Sequence, residues 1–407
     1  MSKAELLLPA GSPDTLNAAL RYGADAVYMG GGSLSLRAKA DNLEEEELSA
    51  ALRLTHSLGK KLYLAVNIFA HNEDLPKAEA YFRELARLED KPDALIISDF
   101  GILGLARELC PEIPVHISTQ TNSTNYETFR FWYRLGVRRV VCARELSLTE
   151  IREIREHVPE DMELECFVHG AMCMSYSGRC LISNYLTGRD ANRGACTHPC
   201  RWKYALTEET RPGVYMPIEE DDRGSYLYNS KDLCMVEHLP ELLDAGVSSL
   251  KVEGRMKNAL YVAAVARAYR LALDMCERDR EAYRNHASWF AYEAGKCTSR
   301  EFTTGFYFGK PGPESQNYRS ADYNRDCLYL GMLEQDEKGL FFRQKNKFCV
   351  GDWIEVIRPN GSNSLQKVKS LTTEEGTAQE ACPHPLQKLY LETDGQLHEY
   401  DILRTMG

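Results

Sequence analysis

The 407-residue chain lacks the long apolar segment that a membrane-spanning helix requires. It contains no run of about 18 consecutive apolar residues. The N-terminal segment MSKAELLLPAGSPD has only three leucines before Pro9, which is shorter than the apolar region of a secretory signal. These absences predict a protein that neither crosses a membrane nor is exported, and we expect it in the cytoplasm.

The motifs of several common enzyme classes are also absent. The chain has no H-E-x-x-H zinc motif and no G-x-S-x-G nucleophile motif, so it lacks the usual signatures of a metalloprotease or a serine hydrolase. The first apolar run is not followed by the G-x-G-x-x-G pattern of a dinucleotide-binding fold. A metal ion at His116, His169 or His198 could still support proteolysis, and a peptidase therefore stays an alternative.

Positive charge is scarce, because 49 Lys and Arg residues stand against 60 Asp and Glu residues, a net charge of -11. Affinity for phosphate comes from Lys and Arg, so this balance argues against nonspecific binding of nucleic acid. It does not exclude RNA that is recognised by a local basic surface. Candidate surfaces are RWKY at 201–204, which combines cations with aromatic rings, and RQKNK at 343–347 with KVK at 367–369.

Short apolar runs recur along residues 1 to about 275, with polar or helical segments between them. The runs are rich in Val, Ile, Leu and Tyr and show little alternation, which is typical of strands in a parallel sheet covered on both faces. Capping residues mark two of the intervening helices: Ser12 before Pro13, and Ser147 three residues before Glu150. The eight runs are 5–10, 26–30, 61–67, 94–98, 115–119, 139–143, 163–168 and 249–254.

Eight strands that alternate with helices predict an α/β protein with a TIM-like (β/α)8 barrel. An open doubly wound sheet is the less favoured alternative. We predict the barrel in residues 1–290 and a Gly-, Pro- and Ser-rich linker in 291–324. In 325–407, the turn signals DEKG and NG separate short strands, and we predict a small all-β barrel there.

Four of the thirteen cysteines cluster in a segment that is too polar to be core. Cys173, Cys180, Cys196 and Cys200 have the spacing C-x6-C-x15-C-x3-C. They lie in a predicted insertion, about 170–230, between the seventh strand and a segment at 231–246 that we predict to be helical. Such an insertion belongs to the C-terminal face of a barrel, where active sites lie. Four thiolates can hold an iron–sulfur cluster or a zinc ion, and the wide spacing favours the cluster over zinc or unliganded thiols.

Cys234 is a spare candidate ligand at the start of that predicted helix, although a core position is the simpler interpretation. Polar residues near the strand ends form the candidate site. Arg and Lys side chains suit an anionic substrate, while a carboxylate or an imidazole can move protons. The predicted catalytic residues are Glu165, His169, Tyr176 and Glu253, and the predicted substrate-binding residues are Asn67, Gln120, Arg144, Arg179, Lys251 and Arg255.

Two details of strand geometry complete this prediction. In KVEGR at 251–255, alternation would place Lys251, Glu253 and Arg255 on one face of a strand. The alternative interpretation is that they form a buried salt-bridge layer inside the barrel. On the seventh strand we expect only one of Glu163 and Glu165 to face inward.

Four segments resemble the peptidase family U32. They are HGAMCMSYSGRCLISNYLTGRDANRGACTHPCRWKY at 169–204, with NSKDL at 229–233; SLKVEGRMKNALYVA at 249–263; and ELLLPAGSPDTLNAALRYGADAVYMGG at 5–31. The resemblance covers nearly the whole chain. It includes the terminal β-barrel, which is similar to the barrel domain of translation factors.

The resemblance implies a function. The family includes collagenase-like peptidases and hydroxylases that work without molecular oxygen. One branch of about this length hydroxylates carbon 5 of the wobble uridine of tRNA with prephenate as co-substrate, while others act on ribosomal RNA or on quinone precursors. The 4Fe-4S cluster of these branches maps onto Cys173, Cys180, Cys196 and Cys200.

We therefore expect a tRNA uridine hydroxylase whose substrates are tRNA and a small carboxylate. The two carboxylates of prephenate suit Arg144, Arg179 and Arg255. The sequence does not decide whether the protein acts with a partner subunit. The alternative functions are a metal-dependent peptidase and an rRNA or quinone-precursor hydroxylase.

Overall fold

The structure is a computed structural model, which describes residues 3–35, 45–173, 175–191, 195–202, 205–207, 215–217, 231–311 and 327–406. It divides into two compact units. The first consists of the described parts of Met1–Glu5, Tyr28–Glu253 and Arg300–Tyr323, and the second of the described parts of Leu6–Val27, Gly254–Ser299 and Asn324–Gly407.

Eight parallel strands close into a TIM-like barrel, as the sequence predicts. They follow one another around the barrel in chain order, and the pairing of the last strand with the seventh closes it. All eight predicted strands are confirmed, each within a few residues. They are β1 (Glu5–Pro9), β2 (Ala26–Gly30), β3 (Lys61–Val66), β4 (Ala94–Ile97), β5 (Val115–Ile117), β6 (Arg139–Val141), β7 (Glu163–Ala171) and β11 (Ser249–Val252).

The helices begin where the sequence places capping residues. The Ser12 side chain accepts from the backbone N–H of Thr15, and Pro13 opens the first helix. Ser147 and Glu150 form the predicted capping box. The helices are α1 (Pro13–Tyr22), α2 (Glu45–Ser57), α3 (Leu75–Arg87), α4 (Phe100–Leu109), α5 (Tyr126–Arg134), α6 (Leu148–His157), α7 (Ile182–Thr187), α8 (Leu239–Asp244), α9 (Ala259–Arg278) and α10 (Arg280–Gly295).

The segment that returns from the insertion differs from the prediction. Residues 232–234 form a strand, β10 (Asp232–Cys234), which runs antiparallel to the end of β7 with Cys234 opposite His169. The predicted helix is therefore wrong at its start, where a short, fully buried apolar run has no periodicity that separates strand from helix. Within the insertion, β8 (Ala205–Thr207) pairs with β9 (Tyr215–Pro217).

The predicted linker, 291–324, contains regular structure in its described part. It includes the end of α10 and a strand, β12 (Phe302–Thr303), that pairs in parallel with β10. The segment 302–311 also contributes Tyr307, whose buried hydroxyl donates to the Phe167 carbonyl of β7. The boundaries of the predicted domains are otherwise untested and stay predictions.

The C-terminal residues form a closed antiparallel barrel of six strands with one added edge strand, which confirms the predicted small all-β barrel. Leu330, Leu333, Phe342, Val356 and Leu403 are among the residues of its core. The strands are β13 (Tyr329–Asp336), β14 (Gly339–Arg343), β15 (Trp353–Ile357), β16 (Asn363–Thr373), β17 (Ala378–Gln379), β18 (Lys388–Thr393) and β19 (Ile402–Thr405). None of the helices in the described parts of the chain is long and apolar enough to span a membrane.

Candidate active site

A network of buried charges occupies the part of the barrel interior nearer the N-terminal ends of the strands. Arg139, at the start of β6, forms ion pairs with Glu5 and with Glu163 and Glu165 of β7, at 2.7 Å to Glu163 and 3.4 Å to Glu165. The Lys251 ammonium lies 2.7 Å from the other oxygen of Glu165. Both Lys251 and Glu165 are buried. Lys251 thus lies in a buried salt-bridge layer, as the alternative interpretation of KVEGR proposed, but its partner there is Glu165, whereas Glu253 lies near Arg144.

The charges of this layer control the pKa values of their neighbours. Burial raises the pKa of Glu5, but the charge and hydrogen bonds of Arg139, with the Tyr63 hydroxyl, lower it overall. Burial lowers the pKa of His116, and the charges of Arg139 and Lys251 lower it further. The His116 ring packs edge-on against Tyr63 with 4.7 Å between ring centroids. These groups form a core in which the charges compensate one another.

The expectation that only one of Glu163 and Glu165 faces inward is wrong. Both carboxylates contact Arg139, because residues two apart on a strand share a face. The expectation for KVEGR is also wrong, since β11 ends at Val252 with a register shift after Lys251. Arg255 lies in the following turn, and a Cβ on Gly11 would come within 2.1 Å of its carbonyl oxygen.

A second polar group lies at the C-terminal ends of the strands, around Arg144. Its guanidinium donates to the Ala171 carbonyl at 3.2 Å and lies over the Phe167 ring, 4.0 Å from the centroid. A second nitrogen is 3.9 Å from the Glu253 carboxylate, and the first is 4.0 Å from the Cys173 sulfur. Among the described residues the Nε of Arg144 has no hydrogen-bond partner. A largely buried cation with a donor to spare suits an anionic ligand.

Ser98 links Gln120 to the backbone of Asn67 elsewhere on this rim, by which we mean the C-terminal ends of the barrel strands. The buried Gln120 accepts from the Ser98 hydroxyl at 2.8 Å, and that hydroxyl lies 3.4 Å from the Asn67 carbonyl. Within the described chain the Gln120 amide nitrogen has no partner. Asn122 donates to the Gln120 carbonyl at 2.9 Å and to the Ser177 carbonyl at 3.2 Å. Sequence reasoning missed Ser98 and Asn122, although each closely follows an apolar strand.

The loop between Cys173 and Cys180 is held against this rim by Gly178. Its φ is +74°, and a Cβ there would lie 2.6 Å from the Phe69 ring and 3.5 Å from Gln120. Only glycine adopts such a backbone at so close an approach without strain. The insertion therefore begins directly over the C-terminal ends of the strands, as predicted. Phe69 was also missed, because no sequence signal distinguishes it from a core residue.

The remaining predicted residues have different environments. His169 is buried in β7, and its ring packs edge-on against Phe302 with 5.4 Å between centroids. The backbone N–H of Glu253 donates to the His169 carbonyl at 2.8 Å. Tyr176 and Arg179 are exposed in the cysteine loop. Burial raises the pKa of Glu145, the residue after Arg144.

Of the predicted site residues, the structure thus brings Arg144 together with Glu253 and Cys173.

The insertion cysteines are more accessible than most of the others. Cys173 is exposed and Cys180, Cys196 and Cys200 are half-buried, whereas the other cysteines apart from Cys349 are buried. Cys234 is one of the buried ones, in β10 rather than in a helix. Four accessible thiols in one segment fit the donor chemistry of an iron–sulfur cluster. In the part of the chain that is described, no three His, Cys, Asp or Glu side chains are grouped so as to hold a metal ion, so the thiols would have to approach one another on binding.

The fold and this rim define a class: an α/β-barrel protein with a polar site at the C-terminal ends of its strands and a cysteine-rich insertion above it. The sequence profile of Peptidase family U32 matches residues 11–317, and that of the Peptidase family U32 C-terminal domain matches residues 325–404. The chain belongs to peptidase family U32, which confirms the resemblance seen in the sequence.

Three relatives bear on function. The tRNA hydroxylation protein P1 of Bacillus subtilis (strain 168) is 36% identical over 405 residues, which cover 99% of this chain and 94% of the relative. The tRNA hydroxylation protein P of Escherichia coli (strain K12) is 39% identical over 405 residues, with 89% and 88% covered. The collagenase of Porphyromonas gingivalis (strain ATCC BAA-308 / W83) is 32% identical over 396 residues, with 93% and 92% covered.

Proposed function

We propose that the protein is an RNA-modifying enzyme that hydroxylates uridine in tRNA. The observation that carries the proposal is the similarity to tRNA hydroxylation proteins over nearly the full length of both chains. In its finer form the proposal names carbon 5 of the wobble uridine as the target, prephenate as co-substrate and the cytoplasm as the location. tRNA and a small carboxylate are then its two binding partners.

Arg144 is the residue best suited to hold a carboxylate of the co-substrate. Its cation is largely buried, and its Nε donor has no partner within the described residues. Phe167 covers one side of the guanidinium. Arg179, the other predicted clamp in the loop above, is exposed to solvent, so we assign the co-substrate to Arg144 alone. A guanidinium that is already oriented loses little entropy when it binds an anion.

Hydroxylation replaces the hydrogen at carbon 5 by a hydroxyl group, which is a two-electron oxidation of uridine. The reaction balances when the co-substrate gives up a hydroxyl group and takes up a hydrogen in its place, so that carbon 5 loses its hydrogen as a proton. Glu253, whose carboxylate lies 3.9 Å from Arg144, is the group best placed to accept this proton. Cys173, Cys180, Cys196 and Cys200 would hold a 4Fe-4S cluster, which supplies one-electron transfer when it is bound.

The proposal is tested in a bacterial strain that lacks its own uridine-hydroxylating enzymes. Expression of the protein is expected to produce 5-hydroxyuridine in digested tRNA, measured by liquid chromatography and mass spectrometry. Unmodified tRNA, with a modified nucleoside in ribosomal RNA or an altered quinone pool, would instead favour another branch of the family.

The cluster has a separate test on anaerobically purified protein. We expect about four irons and four sulfides per chain, which are lost in Cys180→Ser and kept in Cys349→Ser, a half-buried cysteine outside the insertion. Zinc alone, or no metal in protein purified without oxygen, would contradict it.

A peptidase is the second candidate, and the collagenase relative favours it. It predicts cleavage of gelatin by the purified protein, which a chelator abolishes. His116, against Tyr63 inside the barrel, and His198, exposed in the insertion, do not form one metal site with His169 in the described residues. Cleavage without any modified nucleoside would replace the hydroxylase proposal.

A further inference from the structure

Residues 169–204, the cysteine-bearing part of the insertion, carry a charge opposite to that of the rest of the chain, including the acidic remainder of the insertion at 205–230. Residues 169–204 contain four arginines and one lysine but a single aspartate, a net charge of +4. Because the whole chain has a net charge of -11, the remaining residues together carry -15. A cationic segment in so acidic a chain attracts an anionic partner to one place on the surface.

Helix α7, inside the insertion, buries its polar side. The hydroxyl of Ser183, which is fully buried, donates to the Arg189 carbonyl at 2.8 Å and accepts from the Thr197 N–H at 3.1 Å. One turn later, Thr187 donates to the Ser183 carbonyl at 2.7 Å and lies 3.4 Å from the Thr197 hydroxyl. This network attaches the helix to the segment around Thr197.

The opposite side of the same helix carries apolar side chains into solvent. Leu181, the residue that caps the start of the helix, is 68% exposed, and Tyr185, four residues later, is 88% exposed. Residues four apart lie on one helix face, and this face points away from Ser183 and Thr187. An ordinary surface helix has the reverse arrangement, with its apolar stripe buried. Apolar side chains grouped on a surface mark an interaction site.

Two further exposed aromatic residues of the insertion are Tyr176 and Trp202, which is 45% exposed. Aromatic rings stack on unpaired bases, and the guanidinium groups among them bind phosphate. The exposed apolar side chains could also contact a protein, but such a partner would not account for the positive charge beside them. The net positive charge of residues 169–204, against the acidic remainder of the chain, favours RNA as the occupant.

We propose that the insertion is a docking surface for an unpaired RNA loop. Tyr185 and Trp202 stack on bases of the loop, and Arg179 contacts its phosphates. Gly178 holds the base of the insertion over the rim with Gln120, so a loop bound there is presented to the C-terminal ends of the strands. That the RNA is a tRNA rests on the proposed function.

The test measures binding of fluorescently labelled tRNA by anisotropy, with anaerobically purified full-length protein. Tyr185→Ala and Trp202→Ala are each expected to weaken binding about 5-fold to 100-fold, which corresponds to the loss of one stacked base. Tyr185→Phe keeps the ring and should bind like the wild type. The matched control is Tyr292→Ala on α10, a tyrosine that is 60% exposed outside the insertion; it should leave the affinity unchanged.

Arg179 has its own readout. Arg179→Gln is expected to reduce the slope of the logarithm of affinity against the logarithm of salt concentration by about one, as for one lost phosphate contact. An anticodon stem-loop should compete with the labelled tRNA, and a blunt RNA duplex without unpaired bases should compete poorly.

Several outcomes would overturn the docking surface. One is wild-type affinity in both alanine variants, and another is equal weakening in Tyr292→Ala. A third is a wild-type oligomer that dissociates in Tyr185→Ala with RNA affinity unchanged, since the face would then join two chains. RNA binding through the insertion without 5-hydroxyuridine in cells would refute the hydroxylase proposal and leave the docking surface standing.

Discussion

Buried arginines at the two ends of the barrel have different partners. Near the N-terminal ends of the strands, Arg139 contacts three carboxylates, and one of them, Glu165, also pairs with Lys251. Near the C-terminal ends, Arg144 donates to a backbone carbonyl, and its nearest carboxylate is 3.9 Å away. Charged residues in a barrel are therefore not one class: a compensated cation, surrounded by carboxylates, stabilises the core, whereas a cation with one distant carboxylate and a spare donor among the described residues is available to a ligand.

The largest expected effect is on stability and comes from the compensated end. Arg139→Ala leaves carboxylates buried without their cation, and such losses cost about 3–5 kcal/mol of unfolding free energy. Urea unfolding followed by circular dichroism measures this. The neighbouring Arg138→Ala is the control, because that side chain is 51% exposed and an exposed pair contributes about 0–1 kcal/mol. Similar losses in the two variants would remove the distinction between compensated and exposed arginines.

At the C-terminal ends of the strands, around Arg144, we expect loss of function rather than of stability. Arg144→Gln removes a charged donor for the co-substrate, and loss of such a bond lowers activity about 10-fold to 100-fold. The 5-hydroxyuridine content of tRNA measures activity, and urea unfolding should show a much smaller change than in Arg139→Ala. Arg152→Gln, at an exposed position of α6, should alter neither. If Arg144→Gln lowered the unfolding free energy as much as Arg139→Ala does, Arg144 would also be a structural residue and the comparison would fail.

The close approach of Gly178 to Phe69, which positions the cysteine loop, can be tested with two glycines of similar backbone conformation. Gly178 has φ +74° and faces the Phe69 ring, whereas Gly188 has φ +67° and nothing within 4 Å of an added Cβ. Alanine at either position costs about 1–2 kcal/mol of backbone strain. Only Gly178→Ala should also displace the cysteine loop, and so reduce both cluster content and 5-hydroxyuridine. Equal effects of the two variants would show that the contact with Phe69 is unimportant.

The smallest expected effect concerns pH and the compensated layer. The pKa of His116 in the folded state is lowered by burial and by Arg139 and Lys251, so below pH about 6.5 the unfolded chain binds a proton that the folded chain does not. Stability from this residue is therefore present at pH 7 and is lost as the pH falls, by up to about 1.4 kcal/mol per pH unit. His116→Gln should flatten the fall in unfolding free energy between pH 7 and 5, and replacement of the exposed His286 should not.

Local patterns in the sequence predicted most of the elements. The apolar runs located all eight barrel strands, and Ser12 and Ser147 located two helix starts, because strand composition and helix capping act over a few neighbouring residues. The strand at 232–234 was missed for the opposite reason. Its partners are His169–Ala171 on one side and Phe302–Thr303 on the other, so its conformation depends on residues that are distant in the chain.

The sequence by itself determined the class of fold, the cysteine-rich insertion after the seventh strand, and the family, because these reside in periodicity, spacing and long motifs. Only the tertiary structure decided which charged residues compensate one another. Glu165 and Arg144 both read as site residues in the sequence, yet one faces Arg139 and Lys251 and the other does not. That difference arises from the register between neighbouring strands, which is set when the barrel closes and cannot be read from any single segment.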